Sequence, residues 1–241
     1  MRIDLFLQGR GYAKSRTEAK NLVEAGAVTV NGRLVTKPSF AVIGDEEITV
    51  DRSSVRFASR GGEKLDFALD AFGLSVIGRD TLDIGASSGG FTDCLLQRGA
   101  RHVIAVDSGS GQMAERLASD CRVTVIEGYN ARYMKPIDLE YTPSLAVMDV
   151  SFISATYIIP SVFEVLSCDA DFVCLVKPQF EVGRAFLGKG GIVRDAKARE
   201  NAVERVIEFA KQIGFLHKGT VTSPIKGGDG NTEYLVHLVK C

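Results

Sequence analysis

The sequence predicts an α/β protein in two parts: a small α+β module at the front, followed by a seven-stranded, mainly parallel sheet whose last strand is antiparallel. Three observations carry this. From residue 80 onward short apolar runs alternate with amphipathic segments, the pattern of right-handed strand–helix–strand crossovers. The last two strand-like runs, 216–221 and 233–239, are joined by a connection too short for a crossover helix, so they pair antiparallel. Ahead of all this, Asn31-Gly32 between two apolar runs is a strong hairpin signal inside a stretch that also reads as two short helices.

Taken in order, Ile3, Leu5, Phe6 and Leu7 suggest a first helix, and Ser15 caps a second one over 16–25. In that helix Arg16 and Lys20 share a face at i and i+4, while Ala19, Leu22 and Val23 turn inward. Gly26 stops it; Ala27 to Val30 and Arg33 to Val35 form the hairpin, and residues 44–50 form an acidic strand. The polar stretch 51–58 is a linker, which divides the chain into a domain 1–50 and a domain 59–241. Gly61 to Phe72 is a helix with Leu65, Ala68, Leu69 and Phe72 as its buried stripe. Lys64 in its first turn opposes the helix dipole and needs another reason to be there. Strands follow near 80–84, 102–106, 123–126, 145–149 and 171–176, with helices near 90–98, 112–118, 155–166 and 198–213.

Composition narrows the function. With 45% hydrophobic and 24% charged residues the 241-residue chain is ordinary globular material. It shows no signal-peptide pattern and no apolar run long enough to span a membrane, so a cytoplasmic location is expected. Its five cysteines are scattered without C-x-x-C spacing, which speaks against a disulfide framework and against a zinc site; no metal is expected. The net charge of −1 hides an asymmetry: residues 1–60 hold 10 Lys or Arg against 7 Asp or Glu, the remainder 19 against 23. A basic helix leading into a hairpin suits phosphate contacts.

The chemistry centres on residues 80–92. Asp83 ends a strand, and Gly85, Ser87, Gly89 and Gly90 form the turn before a helix starting at Phe91. A turn poor in side chains lets a ligand approach the backbone and aims N–H groups into the site. The order is not the G-x-G-x-x-G of dinucleotide sites, and a carboxylate beside the loop would repel a pyrophosphate. It suits a cofactor with a cationic amino-acid end, such as S-adenosylmethionine. Asp107 ends the next strand where an acid takes ribose hydroxyls, and Asn130 is a candidate for the adenine edge or simply a turn cap. Asp149 and Lys177 end two later strands, Glu233 begins the reversed last strand and Lys64 leads into the first. All four are expected at the carboxyl rim of the sheet, where a paired, half-buried lysine can act as a base.

Two resemblances sharpen this. Arg2-x-Asp4, Lys14-Ser15-Arg16, Ala19-Lys20 and the run from Gly26 to Gly32 are similar to the RNA-binding module typified by a small-subunit ribosomal protein, which implies RNA contacts through Arg2, Lys14, Arg16 and Lys20. The order Lys64, Asp149, Lys177, Glu233 resembles the tetrad of the FtsJ-type ribose 2′-O-methyltransferases, with a class I methyltransferase fold. Joined together, nearly the whole chain resembles the TlyA (haemolysin A-like) family. That implies S-adenosylmethionine as cofactor and the ribose 2′-hydroxyl of cytidine in ribosomal RNA as substrate. By the same resemblance Lys177 assists removal of the hydroxyl proton, Asp149 and Glu233 orient it, and Lys64 helps hold the substrate. Ser87 departs from the general glycine pattern but belongs to the Gly-Ala-Ser-x-Gly-Gly form of this family. The glycine-rich basic loop 181–199, with Arg184 and Lys189, is expected to close on RNA. The basic pattern starts at Arg2 and eight residues follow Glu233, short termini that favour the large ribosomal subunit as partner. No membrane and no protein partner is called for. The competing readings are a non-catalytic assembly factor, a membrane-active haemolysin and a nicotinamide oxidoreductase; the intact tetrad, the missing lytic helix and the glycine order speak against them in turn.

Overall fold

The computed structural model describes all 241 residues, apart from the side chain of Ser54 in the expected linker, which lies outside the described residues. The front unit packs helices α1 (Ile3–Gly9) and α2 (Arg16–Glu24) on a three-stranded antiparallel sheet of order β2 (Arg33–Val35), β1 (Val28–Val30), β3 (Ile48–Val50). Its local signals act as expected. Ser15 accepts a hydrogen bond from Glu18 N at 3.1 Å, and Asn31 and Gly32 turn the hairpin with φ of 49° and 72°, the two left-handed residues a tight hairpin needs. The acidic strand is shorter than 44–50, because Glu46 turns back to accept from Ile43 N and Gly44 N instead of extending the ladder.

The large unit starts with α3 (Gly61–Phe72) and continues with β4 (Asp80–Ile84), α4 (Gly90–Gln97), β5 (His102–Val106), α5 (Glu115–Ala118), β6 (Val123–Ile126), β7 (Leu145–Met148), α6 (Ile159–Val165), β8 (Asp171–Val176), α7 (Pro178–Glu181), α8 (Ala196–Ile213), β9 (Phe215–Thr222) and β10 (Tyr234–Lys240). Sheet order is β6-β5-β4-β7-β8-β10-β9, with β4 to β8 parallel and β10 antiparallel to both neighbours. The last strand is thus inserted between β8 and β9 rather than added at the edge. One apolar cluster covers each face: Ile159, Val162, Phe172, Val206 and Phe215 on one, Leu65, Leu69, Phe91, Leu95 and Leu175 on the other. Among the described residues no helix is long and apolar enough to cross a membrane.

The connection between the two units is tightly held. Val55 packs on the front core, whereas Phe57, 2% exposed, is sealed under α3; a Cβ on Gly62 would overlap its ring. Arg56 pairs with Asp66, and Ala58 N donates to Asp93 Oδ2 at 2.7 Å. Across the interface Asn21 Nδ2 donates to Ala58 O at 3.1 Å, and Lys14 pairs with Glu115 at 2.7 Å.

The strand order reverses between β4 and β7, the place at the carboxyl ends of an open parallel sheet where ligands bind. Here the glycines serve the protein's own packing. Gly85 has φ 82°, and a Cβ on it would overlap the carbonyl oxygen of Asp149, so the two loops meet backbone to backbone. Beneath them Asp83 is wholly buried. Its Oδ2 accepts from Thr92 Oγ1 at 2.6 Å, tying α4 to β4, while Oδ1 has no partner. Burial, with Asp149 and Asp107 near by, pushes this carboxyl up to about 7.

Two outcomes are expected. Gly85→Ala meets both backbone strain and a carbonyl that cannot yield, and loses about 3 kcal/mol or more in denaturant unfolding, whereas Gly73→Ala, left-handed but with open space around it, loses about 1. Asp83 holds its proton to higher pH folded than unfolded, so its contribution is intact below its unfolded value near 3.8 and is lost as pH rises to about 7. Wild-type stability measured against Asp83→Asn should therefore fall by roughly 3 kcal/mol from pH 4 to 7; a flat difference would show that the carboxyl titrates normally.

Candidate active site

At the carboxyl ends of β4, β7 and β8 lies a cavity of about 260 Å³, lined by Gly85 to Ser88, Gly90, Phe91, Asp149, Ser151, Lys177, Lys64 and Gly228, with Ser59, Arg60 and Gly61 on the α3 side. Its remaining wall is the front unit: Lys20, Asn21 and Glu24 of α2. The four residues of the expected tetrad meet as two ion pairs. Lys64 Nζ donates to Glu233 Oε2 at 2.6 Å, and both are buried, at 7% and 2% exposure. That contact supplies the reason for a lysine in the first turn of α3. Lys177 Nζ stands 2.6 Å from Asp149 Oδ1, a close ion pair without the alignment of a hydrogen bond, and donates to Ser151 Oγ at 2.8 Å. The second pair faces the cavity. Glu233 lies behind it, covered by the turn at Gly227, whose Cβ would overlap its carboxylate.

The expected cofactor residues divide into two groups. Gly85, Ser87, Gly90 and Phe91 line the cavity. Gly89 faces Leu117, and Asp83 is sealed beneath the loop. Asp107 grips the loop itself: its Oδ2 accepts from Ser87 N at 2.8 Å and its Oδ1 from Gly109 N at 2.7 Å. This grip holds Ser87 at φ 47°, a conformation that explains why a glycine suits the position. Asn130 caps the turn after β6 by accepting from Arg132 N at 3.1 Å. The residues present fit a cationic, amino-acid-bearing cofactor such as S-adenosylmethionine. Burial first, and then the nearby carboxylates of Asp149 and Asp107, raise Asp83, whose Oδ1 is buried without a partner; positive charge near the loop offsets that repulsion.

The expected RNA contacts lie on the surface of both units. Arg2, Lys14, Arg16 and Lys20 are exposed, yet each has an acidic partner: Asp4 binds Arg2 at 2.9 Å and Arg16 at 3.1 Å, Glu115 binds Lys14, and Glu24 lies 3.8 Å from Lys20. Asp4 itself is buried and held below the ordinary carboxylate range by these arginines, Arg2 first. Arg184 and Lys189 are exposed on the loop after α7, but this loop is less free than its glycines suggest. Two short 3-10 turns shape it, and buried Asn231 straps it down, accepting from Val193 N at 2.9 Å and donating to Gly191 O at 3.1 Å.

Sequence reasoning missed several residues at this rim. Asn231 gave no signal beyond standing two places before Glu233. Phe152, 91% exposed with φ 66°, follows Ser151 and leans on the Phe180 ring at 5.2 Å; its exposed face can stack a flat ligand. The strained conformation is invisible in sequence. Asn21 and Glu24 belong to the cavity only because the two units dock.

Comparison with known proteins agrees with this geometry. The FtsJ-like methyltransferase family matches residues 57–240, and the S4 domain family matches residues 1–48. The 16S/23S rRNA (cytidine-2′-O)-methyltransferase TlyA of Mycobacterium tuberculosis is 45% identical over 238 residues, covering 98% of this chain and 89% of that protein. Hemolysin A of Brachyspira hyodysenteriae is 43% identical, covering 99% of this chain and 100% of the relative. A solved Streptococcus thermophilus structure described as a hemolysin superposes with a TM-score of 0.80 at 45% identity, covering 100% of this chain and 88% of that one. With family models covering residues 57–240 and 1–48 and relatives similar over nearly its whole length, the chain belongs to the FtsJ-like methyltransferases, in the group formed by the TlyA and hemolysin A proteins.

Proposed function

We propose that this protein transfers a methyl group from S-adenosylmethionine to the ribose 2′-hydroxyl of a cytidine in ribosomal RNA. The observation that carries the reading is the Lys177–Asp149 pair at the mouth of a glycine-loop cavity, backed by the buried Lys64–Glu233 pair, in a chain 45% identical to a named rRNA (cytidine-2′-O)-methyltransferase. Residues 1–50 serve as the RNA-binding domain, 51–58 as the linker and 59–241 as the catalytic domain. The large-subunit RNA is the preferred target, because 23S RNA is common to the 16S/23S name of the Mycobacterium tuberculosis relative and to the 23S name of a Campylobacter jejuni relative 31% identical over the whole chain.

When bound, the cofactor supplies a methyl group on a sulfonium, which a hydroxyl oxygen attacks in line. The protein's part is position and proton movement. Asp107 and Asp149 place negative charge around the loop, and a cationic ligand there favours ionisation of Asp83 beneath it. Gly85, Ser87, Gly89, Gly90 and Phe91 shape its seat, and Asn130 stands at the adenine side. Lys177 assists departure of the 2′-hydroxyl proton; Asp149, 2.6 Å away, orients the lysine by ion pairing, and Ser151 at 2.8 Å fixes its direction. Glu233 neutralises Lys64, which holds the substrate side of the cavity. Arg2, Lys14, Arg16, Lys20, Arg184 and Lys189 contact RNA phosphates, exchanging carboxylate partners for them where they have such partners.

The test is incubation of the purified protein with labelled S-adenosylmethionine and each ribosomal subunit separately, with ribose-specific mapping. Label at a cytidine 2′-oxygen of the large subunit is expected. Lys177→Ala should lower turnover 10²- to 10⁴-fold, the usual worth of a general base, with cofactor affinity within a few fold. Near-normal turnover in that variant would refute the base, and label in the small subunit alone would refute the target. Lys14→Gln with Lys20→Gln should flatten the salt dependence of subunit binding by about one to two in log–log slope without altering cofactor binding. An unchanged slope would mean that these lysines stay with Glu115 and Glu24.

A further inference from the structure

The rim at the carboxyl ends of β6 and β7 carries a group of side chains that the reading above leaves unused. Arg132 and Tyr133 lie in the 3-10 turn Ala131–Tyr133 after β6, and Tyr157 in the 3-10 turn Ala155–Tyr157 after β7. All three are exposed, Tyr133 at 65% and Tyr157 at 53%. The guanidinium carbon of Arg132 stands 4.8 Å from the centre of the Tyr157 ring and 5.7 Å from that of Tyr133, so one cation is shared by two rings. Among the described residues Arg132 has no carboxylate partner, whereas Arg101, Arg116 and Arg122 each hold an aspartate.

This group is fixed from below. Asn130 caps the first turn at Arg132 N, and Ser161 Oγ from α6 donates to Ala131 O at 2.6 Å. The second turn is pinned by Glu181, a buried carboxylate that accepts from Ser154 Oγ at 2.6 Å and from Ala155 N at 2.8 Å. Glu181 ends α7, the helix that begins one residue after Lys177, so the tyrosines are held in a set relation to the catalytic lysine. A surface stack that merely shed water would need no buried carboxylate beneath it. Rigid aromatic faces with an uncompensated guanidinium match a base whose π-face stacks and whose phosphate meets the cation.

We propose that Tyr133, Arg132 and Tyr157 form a stacking site for an unpaired nucleotide of the RNA, separate from the nucleotide that reacts. The site rests on RNA being the substrate, and it gives the enzyme a means of selecting unstacked over helical RNA near its target.

The experiment uses the full-length protein and a short single-stranded oligoribonucleotide carrying 2-aminopurine, whose fluorescence is quenched on stacking. Wild type should bind and quench. Tyr133→Leu combined with Tyr157→Leu should lose the quenching and weaken binding about tenfold or more, Tyr157→Phe should keep both, and Arg132→Gln should reduce the salt slope by about one. All these side chains are exposed, so the variants should keep the wild-type melting temperature. Unchanged affinity and quenching in the double variant, or no binding by wild type, overturns the proposal. The readout involves no methyl transfer. Methylation of ribosomal subunits without oligonucleotide stacking would sink this site alone, and stacking without methylation would sink the assigned activity alone.

Discussion

The structure hangs on a buried ion pair between residues 169 positions apart, Lys64 and Glu233. Two charges taken out of water at that depth are costly singly and tolerable only together, so the pair admits few alternative arrangements. It fixes the start of α3 against the start of β10, which places the first helix of the large unit beside its last strand. From that anchor follow the seat of Gly61 beside Phe91, the burial of Phe57 under Gly62, and the path of the chain between the two units. The turn at Gly227 then covers Glu233, and Asn231 straps the basic loop to the same corner. One pair thus organises the wall of the cavity, to which Lys64 contributes, while Lys177 and Asp149 line it from the ends of β8 and β7.

The loop after β4 is governed by a second constraint, negative charge held where there is little room. Asp107 spends its oxygens on backbone N–H groups of the two flanking loops, which makes it part of the scaffold as well as a candidate ribose contact. Asp83 is shielded by Thr92 and carries the electrostatic cost of its neighbours. Positive charge near a loop built this way offsets that cost, which couples the switch point to the charge of its ligand. The front unit follows the same logic in reverse. Its arginines and lysines sit against Asp4, Glu24 and Glu115, and an exposed pair such as Lys14–Glu115 is worth too little to hold against a polyanion.

The sequence by itself determined the architecture, because periodicity and capping act locally. The strands at 80–84, 102–106, 123–126 and 171–176, the Ser15 cap, the Asn31-Gly32 hairpin and the antiparallel last strand were all legible in that way. Lys64, Asp149, Lys177 and Glu233 were singled out in sequence through a resemblance resting on four short motifs, and the fold brings the four side chains to one rim. Tertiary structure alone decided what depends on distant segments meeting. It inserted β10 between β8 and β9, split the tetrad into Lys64–Glu233 and Lys177–Asp149, and assigned Gly85 to a backbone contact with the Asp149 loop. It brought α2 to the wall of the cavity and stacked Arg132 between residues from two different loops. Local pattern reports which face of an element is buried; which charge finds which partner is a property of the packed fold, since pairing depends on distances that only folding creates.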